Sequence, residues 1–188
     1  MIKTERLILR PWRPEDLPLI AAINGDPLAM RHFPAPMTRE DSDAFIERNR
    51  ARQAEDGFCM WAVEVPGVAP LIGVLGLART NFEAHFTPCV EVGWRLAPAF
   101  WGRGYATEGA RAALEFGFEQ KGLDEIVSIT VLANEPSWRV MERIGMTRDH
   151  AGDFDHPRLP EGHALRRHIL YRLKREAWTD TSHRHRHP

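Results

Sequence analysis

The stretch from Val90 to Phe118, VEVGWRLAPAFWGRGYATEGARAALEFGF, decides how the chain is read. It opens as a strand, with Glu91, Gly93 and Arg95 alternating to one side and Val92, Trp94 and Leu96 to the other. Gly102, Gly104 and Gly109 then crowd around Arg103 at the mouth of a helix. Glycine weakens helices, so such a cluster is tolerable where the backbone turns sharply or must come close to something. Ala106, Ala110, Ala113, Leu114 and Gly117 follow at helical spacing as far as Gln120, and Gly122 lies just past the end. Those small residues predict a helix packed close to a sheet. Gly109 falls inside it, at a position for close approach rather than for a turn.

Working back toward the start, FCMWAVEV and LIGVLGLAR read as two strands joined by the turn PGVAP, hence an antiparallel pair. Before them, MTREDSDAFIERNRARQAEDG predicts a helix with Thr38 as N-cap and Asp41 three residues on, followed by Ala44, Phe45 and the Arg48 stem before Gly57 stops it. ERLILRPW predicts a strand, and RPEDLPLIAAI a helix opened by Pro14 and acidic residues. Working forward, EIVSITVLA is a strand and NEPSWRVMERIG a short helix with Asn134 as N-cap and Gly145 as C′. Two strands close the pattern, about 146–154 and 168–173. The order is β-α-α-β-β-β-α-β-α-β-β, which requires hairpins and excludes a doubly wound sheet. A single α/β domain over residues 1–175 is expected, with 176–188 as a flexible tail rich in histidine and arginine.

The 188 residues hold 25 Lys plus Arg against 26 Asp plus Glu, which argues against nucleic acid as the main partner. The start MIKTERLILR lacks the apolar run of a signal peptide, and VAPLIGVLGLA is too short and glycine-broken to cross a bilayer. A cytoplasmic protein without a membrane partner is expected. Cys59 and Cys89 read as buried thiols in a reducing compartment, although they could still meet. No HExxH, CxxC or nucleophile elbow is present, so no metal is expected, and His85, His156, His163 and His168 read as loop or strand residues. His183, His185 and His187 belong to the tail.

The glycines do not fit the dinucleotide fingerprint, and no Walker lysine follows them. A strand feeding a glycine turn into a helix N-terminus is still a ready anion site, because the first helical N–H groups have no internal partner. Three stretches together, TERLILRPWRPED, VEVGWRLAPAFWGRGYATEGARAALEFGF and ANEPSWRVMERIGM, resemble the GCN5-related N-acetyltransferases (GNAT), in the branch of ribosomal-protein alanine acetyltransferases. The resemblance runs from about Thr4 to Leu173. It implies the acyl-CoA N-acyltransferase fold, a mixed and mostly antiparallel central sheet flanked by helices, with splayed strands forming the cleft for CoA.

By this resemblance, acetyl-CoA is the acyl donor. Its pyrophosphate would lie on the backbone of Trp101, Gly102, Arg103, Gly104, Tyr105, Ala106 and Thr107, and its pantetheine along the main chain of Trp94, Arg95 and Leu96. Trp101 stands where the wider family has Arg or Gln, which removes a side-chain cation there. Asn134 and Ser137 match an asparagine and serine pair near the pantetheine and the sulfur. The family often places tyrosine seven residues after the asparagine; here that residue is Met141. Ser137 is then the better acid, with water as the alternative, Glu91 the leading base, and the Val92 N–H the donor to the thioester carbonyl.

The expected reaction is acetyl transfer to a primary amine by direct attack in a ternary complex. The acceptor is a protein N-terminus or a small amine, and FPAPM (33–37) with DHPRLPEGH (155–163) are candidate rims of its site. A small-molecule or antibiotic acetyltransferase is one rival reading. A non-catalytic CoA-binding sensor or structural protein is the other, and a homodimer is compatible with either.

Overall fold

The computed structural model describes residues 1–178. Along them run β1 (Ile2–Lys3), β2 (Ile8–Arg10), α1 (Asp16–Asn24), α2 (Arg39–Asp56), β3 (Met60–Val65), β4 (Ala69–Arg79), β5 (Val90–Leu96), α3 (Tyr105–Glu115), β6 (Glu125–Thr130), α4 (Glu135–Arg143), β7 (Thr147–Asp155) and β8 (Arg167–Lys174). A π-helical turn at Phe116–Gln120 carries α3 to its expected end. The order is the expected one plus β1, whose two residues are too few to show alternation. The strands form a mixed, mostly antiparallel sheet in the order β1-β2-β3-β4-β5-β6-β8-β7. β5 and β6 run parallel, with Glu91 opposite Val127. The chain crosses between them through α3, because parallel neighbours cannot be joined by a tight turn. Residues 175–178 form a last helical turn. The tail histidines lie outside the described residues.

Contacts divide the chain into two compact units. The first, Met1–Ala78 with Gly93–Ala113, buries Trp12, Ile20, Ile23, Ile46, Ala62, Leu71 and Val74 in one cluster. Thr38 caps α2 as expected: its hydroxyl accepts from the Asp41 N–H while the Asp41 carboxylate reaches back to Thr38, and Gly57 ends the helix at φ 73°. The inner face of α2, however, is Ser42, Ile46 and Asn49, with Ala44 and Arg48 exposed and Phe45 half-buried. The reason lies in distant partners. Asn24 Nδ2 donates to Ser42 Oγ at 2.9 Å, and Asn49 Oδ1 accepts from Met60 N at 3.0 Å. Buried polar groups are tolerated when paired in this way. Gly109 lets α3 approach the strands, since a Cβ there would lie 2.7 Å from Leu75 Cδ1.

Arg10 anchors the same unit. Its side chain is 2% exposed, and its donors reach both Asp16 oxygens (2.7 and 2.9 Å), Glu64 Oε2 (2.7 Å) and the carbonyls of Pro11 and Pro70. Those carboxylates raise its pKa against the opposing effect of burial.

The second unit, Arg79–Val92 with the chain from Leu114 onward, packs Phe86, Val127, Phe154 and Leu170 together. β8 pairs antiparallel with both β6 and β7, and the β7 ladder shifts register between Asp149 and Phe154. Arg172 on β8 bridges Glu125 and Asp149, at 2.8 Å to each. Both cysteines are free thiols. Burial pushes the Cys59 thiol up to about 12, which makes it inert at neutral pH. No helix among the described residues is long and apolar enough to cross a membrane.

Candidate active site

In the first unit, β5 leads through a short 3-10 turn, Pro98–Phe100, into the glycine turn and α3. Gly102 and Gly104 sit at φ 70° and 80°, the left-handed region that only glycine enters without strain. Nothing lies within 4 Å of a Cβ built on Gly102, so this side of the turn is open. The first amide of α3 that bonds back is Glu108 N–H, onto Gly104 O at 3.0 Å. The amides ahead of it therefore present the partial positive charge of a helix start, which suits a phosphate.

The turn is propped from the N-terminal strand region. Arg6 Nη1 donates to the Arg103 carbonyl at 2.9 Å, and Arg6 Nε donates to Glu108 Oε2 at 2.7 Å. Glu108 Oε1 also accepts from Thr4 Oγ1 (2.6 Å) and from the Arg6 N–H (2.8 Å). The Arg6 guanidinium lies 4.8 Å over the Tyr105 ring. Burial alone would raise the Glu108 carboxyl; the hydrogen bonds from Thr4 and Arg6 outweigh it and hold the group below its ordinary value. Thr4, Arg6 and Glu108 were not among the expected site residues. The opposite charges stand inside two of the quoted motifs, but 102 residues separate them and no local spacing links them.

The other expected residues of this unit are placed as follows. Trp101 is 38% exposed, and its indole N–H donates to Leu96 O at 2.8 Å, which ties that strand end to the turn. Arg31 lies 5.0 Å over the Trp101 ring. Arg103 is exposed, lies 5.5 Å over Phe100, and makes no ion pair among the described residues. Ala106 and Thr107 occupy the first turn of α3, and Trp94 is half-buried on β5. Arg95 turns its side chain inward, where Nε donates to Asn24 Oδ1 at 2.9 Å.

The second unit holds Glu91, Val92, Asn134 and Ser137. Glu91 is half-buried on β5 beside Val127. The Val92 carbonyl accepts from Ser128 Oγ at 2.8 Å, which fixes the start of the parallel pair. Asn134 stands at the N-cap of α4, but its side chain does not cap. At φ −84° and ψ 62° it turns away, and Nδ2 donates to Thr130 Oγ1 at 3.0 Å. The amide thus fastens α4 to the end of β6. Ser137 is half-buried in the first turn of α4, and its hydroxyl has no hydrogen-bond partner among the described residues. Met141 is 1% exposed, a core residue. Tyr171 is no substitute acid: burial and its bond to Glu142 push the phenol up to about 12.

Of the histidines, His156 and His168 lie 5.0 Å apart against Phe154, and burial lowers both. His85 bonds to Gly152 O, and His163 accepts from Leu165 N. Among the described residues, no three His, Cys, Asp or Glu side chains gather as metal ligands do.

A family model described as "Acetyltransferase (GNAT) domain" matches residues 6–147. The chain is 30% identical over 178 residues to the uncharacterized N-acetyltransferase YnaD of Bacillus subtilis, covering 94% of this chain and 98% of that one. It is also 30% identical over 195 residues to an FsC-acetyl coenzyme A-N(2)-transacetylase of Aspergillus fumigatus, covering 94% of this chain and 77% of that protein. A GNAT-family acetyltransferase of Bacillus anthracis shares the fold with a TM-score of 0.77 at 30% identity, covering 93% and 98% of the two chains.

Proposed function

We propose, from the premise that this chain belongs to the acetyltransferase (GNAT) family and is an acetyl-CoA-dependent N-acetyltransferase, that it acylates a primary amine by direct attack in a ternary complex. The observation that carries the donor half is the glycine turn: two left-handed glycines, an open side, and helix amides held in place by Arg6 and Glu108. We assign the acetyl-CoA pyrophosphate to Trp101–Thr107, with the Arg103 guanidinium available to it. The main chain of Trp94, Arg95 and Leu96 is assigned to the pantetheine.

On the chemical side we assign Glu91 to take the proton from the acceptor ammonium, directly or through water. The neutral amine then attacks the thioester carbon, and the Val92 N–H donates to the oxygen that gains charge. A C–N bond forms, the attacking nitrogen releases its extra proton to solvent, the C–S bond breaks with its electron pair going to sulfur, and the thiolate takes a proton from water or from Ser137, which solvent reprotonates. Asn134 is assigned to the pantetheine while it fastens α4 to β6. The free Ser137 hydroxyl supports this reading. Met141 in place of a tyrosine makes the acid step weaker than the family's common form, which keeps a CoA-binding sensor as the rival. A cytoplasmic setting is proposed on the two free thiols.

The test is calorimetric binding of acetyl-CoA together with CoA release over a panel of N-terminal peptides and small amines. Binding and turnover are expected. Tight binding with no turnover on any acceptor supports the sensor, and absence of binding overturns the proposal. Glu91→Gln is expected to lower kcat by about 10²–10⁴-fold, the range for a lost general base, with the acetyl-CoA Kd unchanged. Full activity at neutral pH removes Glu91 as base.

A further inference from the structure

Arg95 enters the proposed chemistry through its main chain alone, which leaves its guanidinium free for another part. Its Nη2 is sealed from solvent and has no hydrogen-bond partner among the described residues, although the residue as a whole is half-buried. Nε is held by Asn24 Oδ1 at 2.9 Å, and Asn24 is itself oriented by Ser42 Oγ at 2.9 Å, both fully buried. Phe33 and Phe45 lie 5.2 and 5.3 Å from the guanidinium carbon. Among the described residues no carboxylate offsets the charge, and burial lowers its pKa to about 10, so it stays cationic at neutral pH. Arg10, in the same unit, shows what a satisfied buried guanidinium looks like, with two carboxylates and two carbonyls around it. A donor edge of a cation sealed away without an acceptor is costly to keep.

We infer that Arg95 is the anchor for a carboxylate on the acceptor, so that the amine acetylated by this chain carries a carboxylate in the same molecule. The inference rests on the proposed acetyltransferase function and names its substrate class. A planar guanidinium with one edge fixed by Asn24 and a free Nη2 matches a planar carboxylate better than a point anion. Phe33, 39% exposed, sits on the connector between α1 and α2 and is the cover that the ligand displaces.

The experiment uses the full chain, saturating acetyl-CoA, and pairs of amines that differ only as free acid or carboxamide: α-amino acids, ω-amino acids and short peptides. Wild type is expected to favour the acid by about 10- to 100-fold in kcat/KM, the range for a hydrogen bond to a charged group. Arg95→Met is expected to erase that preference, read as the ratio of acid to carboxamide at saturating acetyl-CoA so that any change in donor binding cancels, and Arg95→Lys to keep part of it. Equal use of acids and amides, or an undiminished preference in Arg95→Met, overturns the inference. The same acids are titrated with CoA present, following the Arg95 Nε–H resonance by NMR, so a readout remains if nothing turns over. Acids are expected to shift it and amides not to. No shift with any acid overturns the inference even where acetyl transfer is intact, and a shift with inorganic phosphate alone overturns the carboxylate assignment. Failure of acetyl-CoA to bind strikes the proposed function instead.

Discussion

Arg10 buries its whole guanidinium and half-buried Arg95 seals only its Nη2 edge, and replacing each with methionine is expected to have different consequences for stability. In Arg10→Met, Asp16 is left without its cation in a site where both side chains are 2% exposed, and Glu64 keeps only Arg13 at 3.7 Å. Breaking a buried pair from one side costs about 3–5 kcal/mol. In Arg95→Met, an uncompensated charge is removed, and the loss is an unpaired Asn24 Oδ1, worth about 1–3 kcal/mol. Relief of the buried charge is of similar size. Urea unfolding should therefore place Arg95→Met within about 1 kcal/mol of wild type and Arg10→Met far below it. Neither role was legible in the sequence: Arg10 and Arg95 each stand in a strand where side-chain parity alone gives no partner. Glu108 adds a pH dependence with a definite sign. Its carboxyl is held below its ordinary value of 4.5, so its contribution is present in full above that pH and is lost as pH falls through the lower folded value. Glu108→Gln is expected to flatten the acid limb of a stability-against-pH curve in that range. An unchanged limb would mean that the Thr4 and Arg6 contacts add nothing to folding.

At the scale of elements, the glycine turn is where a mutation separates folding from ligand binding. Gly104 has φ 80°, and a Cβ there would come within 3.3 Å of Arg6 Nη2. Gly104→Val is thus expected to strain the turn and push the prop aside, weakening acetyl-CoA binding by at least about tenfold, the equivalent of about 1.4 kcal/mol. Circular dichroism checks that the variant folds, and unchanged affinity in a folded protein removes the pyrophosphate assignment. Punctuation of elements was legible because its causes are local. Thr38 with Asp41, Gly57 and Gly145 act through bonds and φ values within a few residues, and each stands where it was expected. The inner face of α2 was not legible, since Ser42 and Asn49 are buried by partners on other elements. Asn134 shows the same limit: its place at the start of α4 was local, whereas its bond to Thr130 depends on how β6 ends.

For the whole molecule, the order of elements followed from turns and periodicity, but the order of strands in the sheet did not. Nothing within a strand states its neighbour, and β8 enters between β6 and β7. There it allows Arg172 to meet Glu125 and Asp149. The family and its donor chemistry were legible because they are carried by short motifs. The acceptor was not: Arg95, proposed here to read it, takes its surroundings from residues about 50 to 70 positions away. The Arg6 prop has a practical consequence for handling the protein. Since Thr4 and Arg6 hold the glycine turn to which the donor pyrophosphate is assigned, the first few residues belong to that turn although they lie about a hundred positions before it. Deleting residues 1–6 is expected to raise the acetyl-CoA Kd with little change in the acceptor KM. A purification tag fused close ahead of Thr4 would then be mistaken for a weak enzyme, when the fault lies in the fusion.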